Sequence, residues 1–258
     1  MPAHLLPGMH GICFFGSPGS GKTTLCHALT QLLTCMDYDC ITIDLDPSSL
    51  EEDCYDISIK DLVTTNEVQD LEGLGPNGAI LYSMEFLKEN VHWLSTQIST
   101  LAGTSPTKRQ FLLIDFPGQV ECYMAYDTID SILTHLLVDH KHNLCGLLLT
   151  EAFNLLNPRS LLSAGLSIAA QQVSLGIPVL AVASKGDLLS ADQQASLIKC
   201  LETGIINVVS SLHRVRPFHL AMAEFLDANL SLLPLPVSVD NEGALQLLLQ
   251  EVTRILGM

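Results

Sequence analysis

Eight consecutive residues restrict this chain more than any other stretch: Gly16-Ser17-Pro18-Gly19-Ser20-Gly21-Lys22-Thr23 meets the pattern G-x-x-x-x-G-K-[ST] without a mismatch. The segment follows an apolar run, Ile12–Phe15, and opens a stretch patterned as a helix, Lys22–Met36. Glycines in such a loop let the backbone curl around phosphate oxygens and aim its N–H groups inward. The helix that follows adds the positive end of its dipole. Lys22 is therefore predicted to bridge the β- and γ-phosphates of a nucleotide, and Thr23 to offer its hydroxyl to Mg²⁺.

The rest of the chain alternates in a way that suits this loop. Six apolar runs read as strands: Ile12–Phe15, Cys40–Asp44, Phe111–Ile114, Leu144–Leu149, Pro178–Ala183 and Leu232–Val237. They are nearly continuously apolar, as expected of strands covered on both faces in a parallel sheet. Helices are predicted between and after them at Lys22–Met36, Ser83–Leu101, Met124–His140, Arg159–Leu175, Ala191–His213 and Glu242–Leu256. Strand–helix alternation of this kind predicts an α/β, doubly wound, mostly parallel sheet, a P-loop nucleotide-binding fold, occupying residues 1–258 as one domain. The span from Pro47 to Ser83 fits the alternation least, and its length predicts a functional loop or a solvated insertion.

Composition removes several functions. Basic residues number 12 and acidic ones 28, a net charge of −16. So acidic a surface repels phosphate backbones and anionic lipid, which argues against direct nucleic-acid binding and membrane docking but leaves room for one local phosphate site. The uncharged stretch Ser160–Ser184 is long enough to span a bilayer. Gln171, Gln172 and the Gly176-Ile177-Pro178 break instead predict a buried helix ending at Gly176 and a strand from near Pro178. Cysteines at 13, 26, 35, 40, 54, 122, 145 and 200 include no C-x-x-C pair, so they read as reduced, apolar side chains and not as zinc ligands. Met1–Gly11 has no apolar core of a secretory signal. His135, His140 and His142 read as surface or capping residues, and Trp93 as core or interface packing.

Three further segments carry chemistry. Asp44-Leu45-Asp46-Pro47 and Asp115-Phe116-Pro117-Gly118-Gln119 end predicted strands on the side where ligands of parallel sheets lie. Asp115 and Asp46 are candidate ligands of Mg²⁺ or its waters, a hard ion that prefers oxygen; helix capping or loop solvation is the alternative for each. The Gly118 N–H is placed to sense the γ-phosphate and Gln119 to orient water. Glu121 is either a partner of that water or a solvated loop acid. Ser184-Lys185-Gly186-Asp187 follows the Pro178–Ala183 strand and fits [NST]-K-x-D. There a fixed carboxylate, Asp187, accepts from guanine N1–H and its amino group, and the stem of Lys185 lies along the base. Adenine offers no such pair of donors, so the segment predicts GTP or GDP over ATP.

Taken with Leu74-Gly75-Pro76-Asn77-Gly78 and Tyr82-Ser83-Met84-Glu85-Phe86-Leu87, these motifs stand in an order and spacing that resembles the GPN-loop GTPases along nearly the whole chain. The resemblance implies a P-loop fold with an inserted GPN loop at about 47–83, and nucleotide contacts from Gly16, Gly19, Ser20, Gly21, Lys22, Thr23, Thr24, Gly118, Ser184, Lys185 and Asp187. Thr23, Asp46 and Asp115 are the implied metal residues; Lys22, Gln119, Glu121 and Asn77 are the implied catalytic ones. It also implies a dimer, with itself or with a related GPN-loop GTPase, in which Asn77 reaches the partner's phosphates. The Tyr82–Leu87 and Ser184-Lys185 forms look most like eukaryotic paralogues tied to RNA polymerase II assembly and nuclear import, which implies polymerase subunits as clients and a cytoplasmic protein that shuttles to the nucleus. One departure stands out: the chain reads Ser58-Ile59-Lys60-Asp61 where the family often has Asp-Ile-Arg-Asp. Asp56 replaces the absent acid only with a two-residue shift. Two rivals to a GTP-hydrolysing switch therefore stay open: a GTP-binding assembly factor with negligible turnover, and a phosphotransferase of the nucleotide-kinase type.

Overall fold

A central strand with hydrogen-bonded neighbours on both sides organises the computed structural model of the chain, which describes residues 8–49, 55–104, 109–119, 121–124, 127–210, 216–229 and 235–258. The strand β1 (His10–Gly16) is followed by α1 (Lys22–Cys35), β2 (Tyr38–Asp44) and the short β3 (Ile57–Ser58). Three helices follow, α2 (Thr65–Glu72), α3 (Pro76–Glu89) and α4 (Val91–Ala102), before β4 (Arg109–Asp115). Next come α5 (Glu121–Met124), α6 (Thr128–Thr134), which runs into a π turn at His135–Asp139, and β5 (Asn143–Glu151). The chain continues through α7 (Ala152–Leu155), α8 (Pro158–Leu175), β6 (Val179–Ser184), α9 (Ala191–Thr203), α10 (Ile205–Ser210), α11 (Pro217–Asn229), β7 (Leu235–Pro236) and α12 (Glu242–Leu256). The strands pair in the order β3-β2-β4-β1-β5-β6-β7, and every described pairing is parallel.

Alternation along the central strands builds two cores. Ile12 and Phe14 of β1, with Phe111 and Leu113 of β4, pack beneath Leu25, Leu29 and Leu33 of α1 and Leu248 and Val252 of α12. Cys13 and Phe15, with Leu112 and Ile114, face the opposite layer of α3, α4, α6 and α8, from which Met84, Leu94, Ile132 and Leu161 enter the core. Both faces are dry, which is why these strands read as unbroken apolar runs. The polar residues lie at one edge of the sheet. Register sets Asp44 beside Asp115, Gly16 beside Leu149 and Glu151 beside Ser184, so the C-terminal strand ends converge.

Several element boundaries differ from the sequence expectation, each for a local reason. The helix expected over Ser83–Leu101 is two helices. Asn90 ends the first, its side-chain amide donating to the Phe86 carbonyl at 2.8 Å, a local bond that competes with helix continuation. The helix expected over Ala191–His213 breaks at Gly204 (φ 84°), and the Asp227 carboxylate of α11 accepts from the N–H groups of Ile205 and Ile206, both at 2.9 Å. Residues 211–213 of that helix, and 232–234 of the last predicted strand, lie outside the described residues. Of the stretch expected as a helix from Met124 to His140, Met124 ends α5, Thr128–Thr134 forms α6 and the π turn closes it, while residues 125 and 126 lie outside the described residues.

The span expected as a long loop, 47–83, contains β3, a 3₁₀ turn at Ile59–Asp61, α2 and the start of α3. Its helices carry legible signals: Thr64 and Glu67 form a reciprocal capping box, and Pro76 occupies the first turn of α3. Ser160–Ser184 is the helix–strand unit expected, with Gly176 closing α8 at φ 62°. Among the described residues no helix is long and apolar enough to cross a membrane. Seven described cysteines are free, and burial pushes the thiols of Cys13 and Cys26 well up, as expected of inert core residues.

The histidines correct the sequence reading. His135 and His142 are buried, not surface residues. His135 Nε2 is 2.7 Å from Ser95 Oγ, its Nδ1 is 2.7 Å from Asp139 Oδ2, and His142 Nδ1 accepts from the Met9 N–H at 3.0 Å. Trp93 is half-buried against the core, as expected.

Candidate active site

The loop between β1 and α1 is bent by its glycines. Gly16 (φ 146°) passes so near β5 that a β-carbon there would lie 2.6 Å from the Leu149 carbonyl oxygen. Gly19 (φ 76°) and Gly21 (φ 91°) are left-handed. Gly21 caps α1 without a side-chain bond, so the first-turn N–H groups of that helix keep their capacity for an anion. Lys22 is buried, and its ammonium folds back onto the carbonyl oxygens of Gly16 at 3.2 Å and Ser17 at 3.4 Å. Burial lowers its pKa, while Asp115 and Asp46 pull the other way. Ser20 is buried with an unpartnered hydroxyl, and Thr24 points outward.

The Thr23 hydroxyl donates to Asp115 Oδ2 at 2.7 Å. Asp115 is 2% exposed, and its other oxygen, Oδ1, has no partner. Asp44, 1% exposed on the neighbouring strand, has one oxygen bonded to the Asp46 N–H at 2.9 Å and the other, Oδ2, unpartnered. Burial, reinforced by the charges of Asp115 and Asp46, pushes the Asp44 carboxyl up to about 7. Two buried carboxylate oxygens without partners, on adjacent strands beside a P-loop threonine, are a costly arrangement unless a cation meets them. They suit a hard divalent ion that takes few protein oxygens and keeps several waters. Asp46 Oδ1 accepts from the Ser48 N–H at 2.9 Å and the Ser48 hydroxyl at 2.6 Å, while its charge acts on Lys22 and Asp115. Asp44, not named among the metal residues from sequence, therefore joins Asp46 and Asp115 as a candidate, with a buried open oxygen.

Gly118 sits hard against the phosphate loop. A β-carbon on it would meet Pro18 N at 2.7 Å and Lys22 Nζ at 3.0 Å. Beyond it opens a cavity of about 740 Å³ lined by Gly16, Pro18, Asn77, Gln119, Glu121 and, from α8, Arg159. Gln119 Oε1 is buried in this region without a partner. Asn77, Gln119 and Glu121 are thereby brought together with the phosphate loop inside one chain. Asn77, which the resemblance assigns to a partner's phosphates, also borders the cavity of its own chain. The α8 side of the cavity was not anticipated, because a helix passing over a strand end leaves no local motif.

Ser58 and Asp56 do not reach this cavity lining. The Ser58 hydroxyl accepts from the Lys60 N–H at 3.3 Å, capping the 3₁₀ turn. Asp56 Oδ2 accepts from both the N–H and the hydroxyl of Thr42 at 2.8 Å. The segment expected to read the base is tied to the phosphate loop through one buried group: the Ser184 hydroxyl donates to the Ser20 carbonyl at 2.6 Å and lies 3.2 Å from that of Thr150. Lys185 is left-handed (φ 58°), its ammonium 2.7 Å from Glu151 Oε1, and Asp187 is exposed.

Comparison with known proteins agrees with this geometry. A family model described as a conserved hypothetical ATP binding protein matches residues 14–258. GPN-loop GTPase QQT1 of Arabidopsis thaliana is 32% identical over 183 residues, 70% of this chain and 59% of that protein, so the match spans less than two thirds of the plant protein. GPN-loop GTPase 3 of Saccharomyces cerevisiae is 30% identical over 191 residues, 73% of this chain and 68% of its own. GPN-loop GTPase 2 of Xenopus tropicalis is 29% identical over 256 residues, 96% and 82%. An apo-form GTPase of Pyrococcus abyssi shares the fold, with a TM-score of 0.79 at 22% identity over 96% of this chain and 98% of that one. Because the family model runs from residue 14 to residue 258 and two GPN-loop GTPases are 30% or more identical over at least 70% of the chain, the chain belongs to the GPN-loop GTPases.

Proposed function

We propose that this chain binds GTP with Mg²⁺ and hydrolyses it slowly, as one continuous GTPase unit and one half of a dimer formed with itself or a related GPN-loop GTPase. The observation that carries the chemistry is the buried, unpartnered Gln119 carbonyl oxygen in the cavity that Gly118 joins to the phosphate loop. Such an acceptor is expensive to leave unpaired and is satisfied by a water. Gln119 Oε1 holds that water, Glu121 accepts its proton, and Asn77 fixes its orientation. The water oxygen bonds to the γ-phosphorus as the bond to the β–γ bridging oxygen breaks, leaving GDP and inorganic phosphate. The Lys22 ammonium and the loop N–H groups stabilise charge on the phosphates. Thr23 and Asp115, with Asp44 or Asp46, would hold the magnesium, which would supply positive charge against the phosphate oxygens. Asp187 reads guanine.

The slow rate follows from Ser58 and Asp56. The first caps a turn and the second is bonded to Thr42, so neither supplies the acid common in this family. That favours, as a second reading, a GTP-binding assembly factor with negligible turnover. A phosphotransferase is less well supported, because Arg159 is the one basic residue among the described residues lining the cavity, and a phosphorylated acceptor needs a basic clamp. The proposed output is assistance to RNA polymerase assembly or nuclear import by a cytoplasmic protein that shuttles to the nucleus; it rests on the resemblance of Tyr82–Leu87 and Ser184-Lys185 to the eukaryotic paralogues. Single-turnover hydrolysis of radiolabelled GTP by the purified chain tests the chemistry. Phosphate release within minutes to an hour supports the switch, whereas tightly bound GTP that persists for many hours selects the assembly factor.

A further inference from the structure

Tyr55 precedes β3, and no sequence motif points to it. Its hydroxyl donates to Asp115 Oδ2 at 3.0 Å, the same oxygen that accepts from Thr23. A carboxylate oxygen has two lone pairs, and here both are engaged by hydroxyls from separate elements. Asp115 Oδ1 is left buried and open, as is Oδ2 of Asp44, its register neighbour on β2. The donor itself is braced. Its ring lies 5.2 Å from that of His27 on α1, and the adjacent Asp56 is fastened to Thr42 by its carboxylate and by its N–H, which donates to the Thr42 carbonyl at 3.0 Å.

Resting on the Mg·GTP reading above, we infer that Tyr55 is a positioning residue of the metal shell: its hydroxyl, opposite that of Thr23, locks the Asp115 carboxylate so that Oδ1 alone is offered to the divalent ion. Groups that orient a metal ligand from behind typically change metal affinity by about 10- to 100-fold when removed. Tyr55 therefore governs how tightly magnesium, and with it the nucleotide, is held, and leaves the hydrolytic step at saturating metal nearly unchanged.

Tyr55→Phe tests this, since it keeps the ring on His27 and deletes only the hydroxyl. Release of fluorescent mant-GDP from the full chain is followed across free Mg²⁺ concentrations, and Mn²⁺ binding to the GDP-loaded protein is read by electron paramagnetic resonance. The expected result is a metal midpoint raised about 10- to 100-fold, with nucleotide release in excess EDTA and kcat at saturating Mg²⁺ each within about twofold of wild type. A midpoint within twofold of wild type overturns the inference and leaves the Mg·GTP reading standing. A wild-type chain whose nucleotide release ignores Mg²⁺ overturns both. Should Tyr55→Phe melt early, the pair is read in the Asp115→Asn background, where Tyr55→Phe should shift the Mn²⁺ midpoint no further; a full additional shift there rejects the coupling.

Discussion

The two ends of the nucleotide site are built in opposite ways. At the phosphate end, Lys22, Asp44 and Asp115 are buried, Gly118 is wedged on Pro18, and the open polar atoms point where a charged ligand would satisfy them. At the base end, Asp187 and Leu188 are exposed, and Ser184 is the one buried group of the motif. The difference follows from what each end must do. Phosphate charge is large and is stabilised most by fixed groups in a dry place, so that end carries polar atoms at a cost to stability. Base identity needs only a pair of hydrogen bonds, which under the proposed reading an exposed carboxylate on a short tether would supply.

If the contrast is right, changes at the phosphate end should be the more severe. Lys22→Ala should lower GTP affinity by about 1,000-fold, roughly 4 kcal/mol, with the fold intact, as read by nucleotide extraction and circular dichroism; retention of nucleotide would erase the distinction between the ends. Asp44→Asn should have the next largest effect, on stability. The Asp44 pKa is raised to about 7 in the folded chain, above about 3.9 unfolded. Its contribution is thus fully present below about pH 4 and is lost as pH rises to 7. Ligand-free Asp44→Asn should accordingly match wild type in acid and exceed it by about 2–4 kcal/mol at pH 8, measured by denaturant melts across pH; parallel curves would show that burial does not strain this carboxyl.

The base end sharpens the comparison with smaller effects. Asp187→Asn reverses the donor–acceptor pattern and should move the GTP:XTP preference toward xanthine by about 10- to 100-fold in competition binding, with little change in stability. An unchanged ratio would remove Asp187 from base recognition. Ser184→Ala should cost least, about 1 kcal/mol of stability, because it deletes the tether to the Ser20 carbonyl but leaves both loops in place; calorimetric melting checks it.

Legibility in the sequence followed locality. The phosphate loop, the strand ends at Asp44 and Asp115 and the segment at Ser184 are contiguous motifs, and each lies where it was expected. The helix breaks at Asn90 and Gly204 were missed although both residues are breakers, because the apolar pattern runs on through them. The burial of His135 and His142 was missed because their partners, Ser95 and Met9, are remote in sequence. Asp44 and Asp46 could not be ranked from a string in which both follow the same strand.

The order of apolar runs and glycines was enough to specify a parallel sheet with an anion loop at the C-terminal edge of its strands, since backbone sterics and two-sided burial act on neighbours in the chain. Which oxygens at that edge lack a partner was decided by tertiary structure alone. Asp115 is met by Thr23 and by Tyr55, residues from separate parts of the chain, and a hydrogen bond between such residues exists only once the sheet has brought them together.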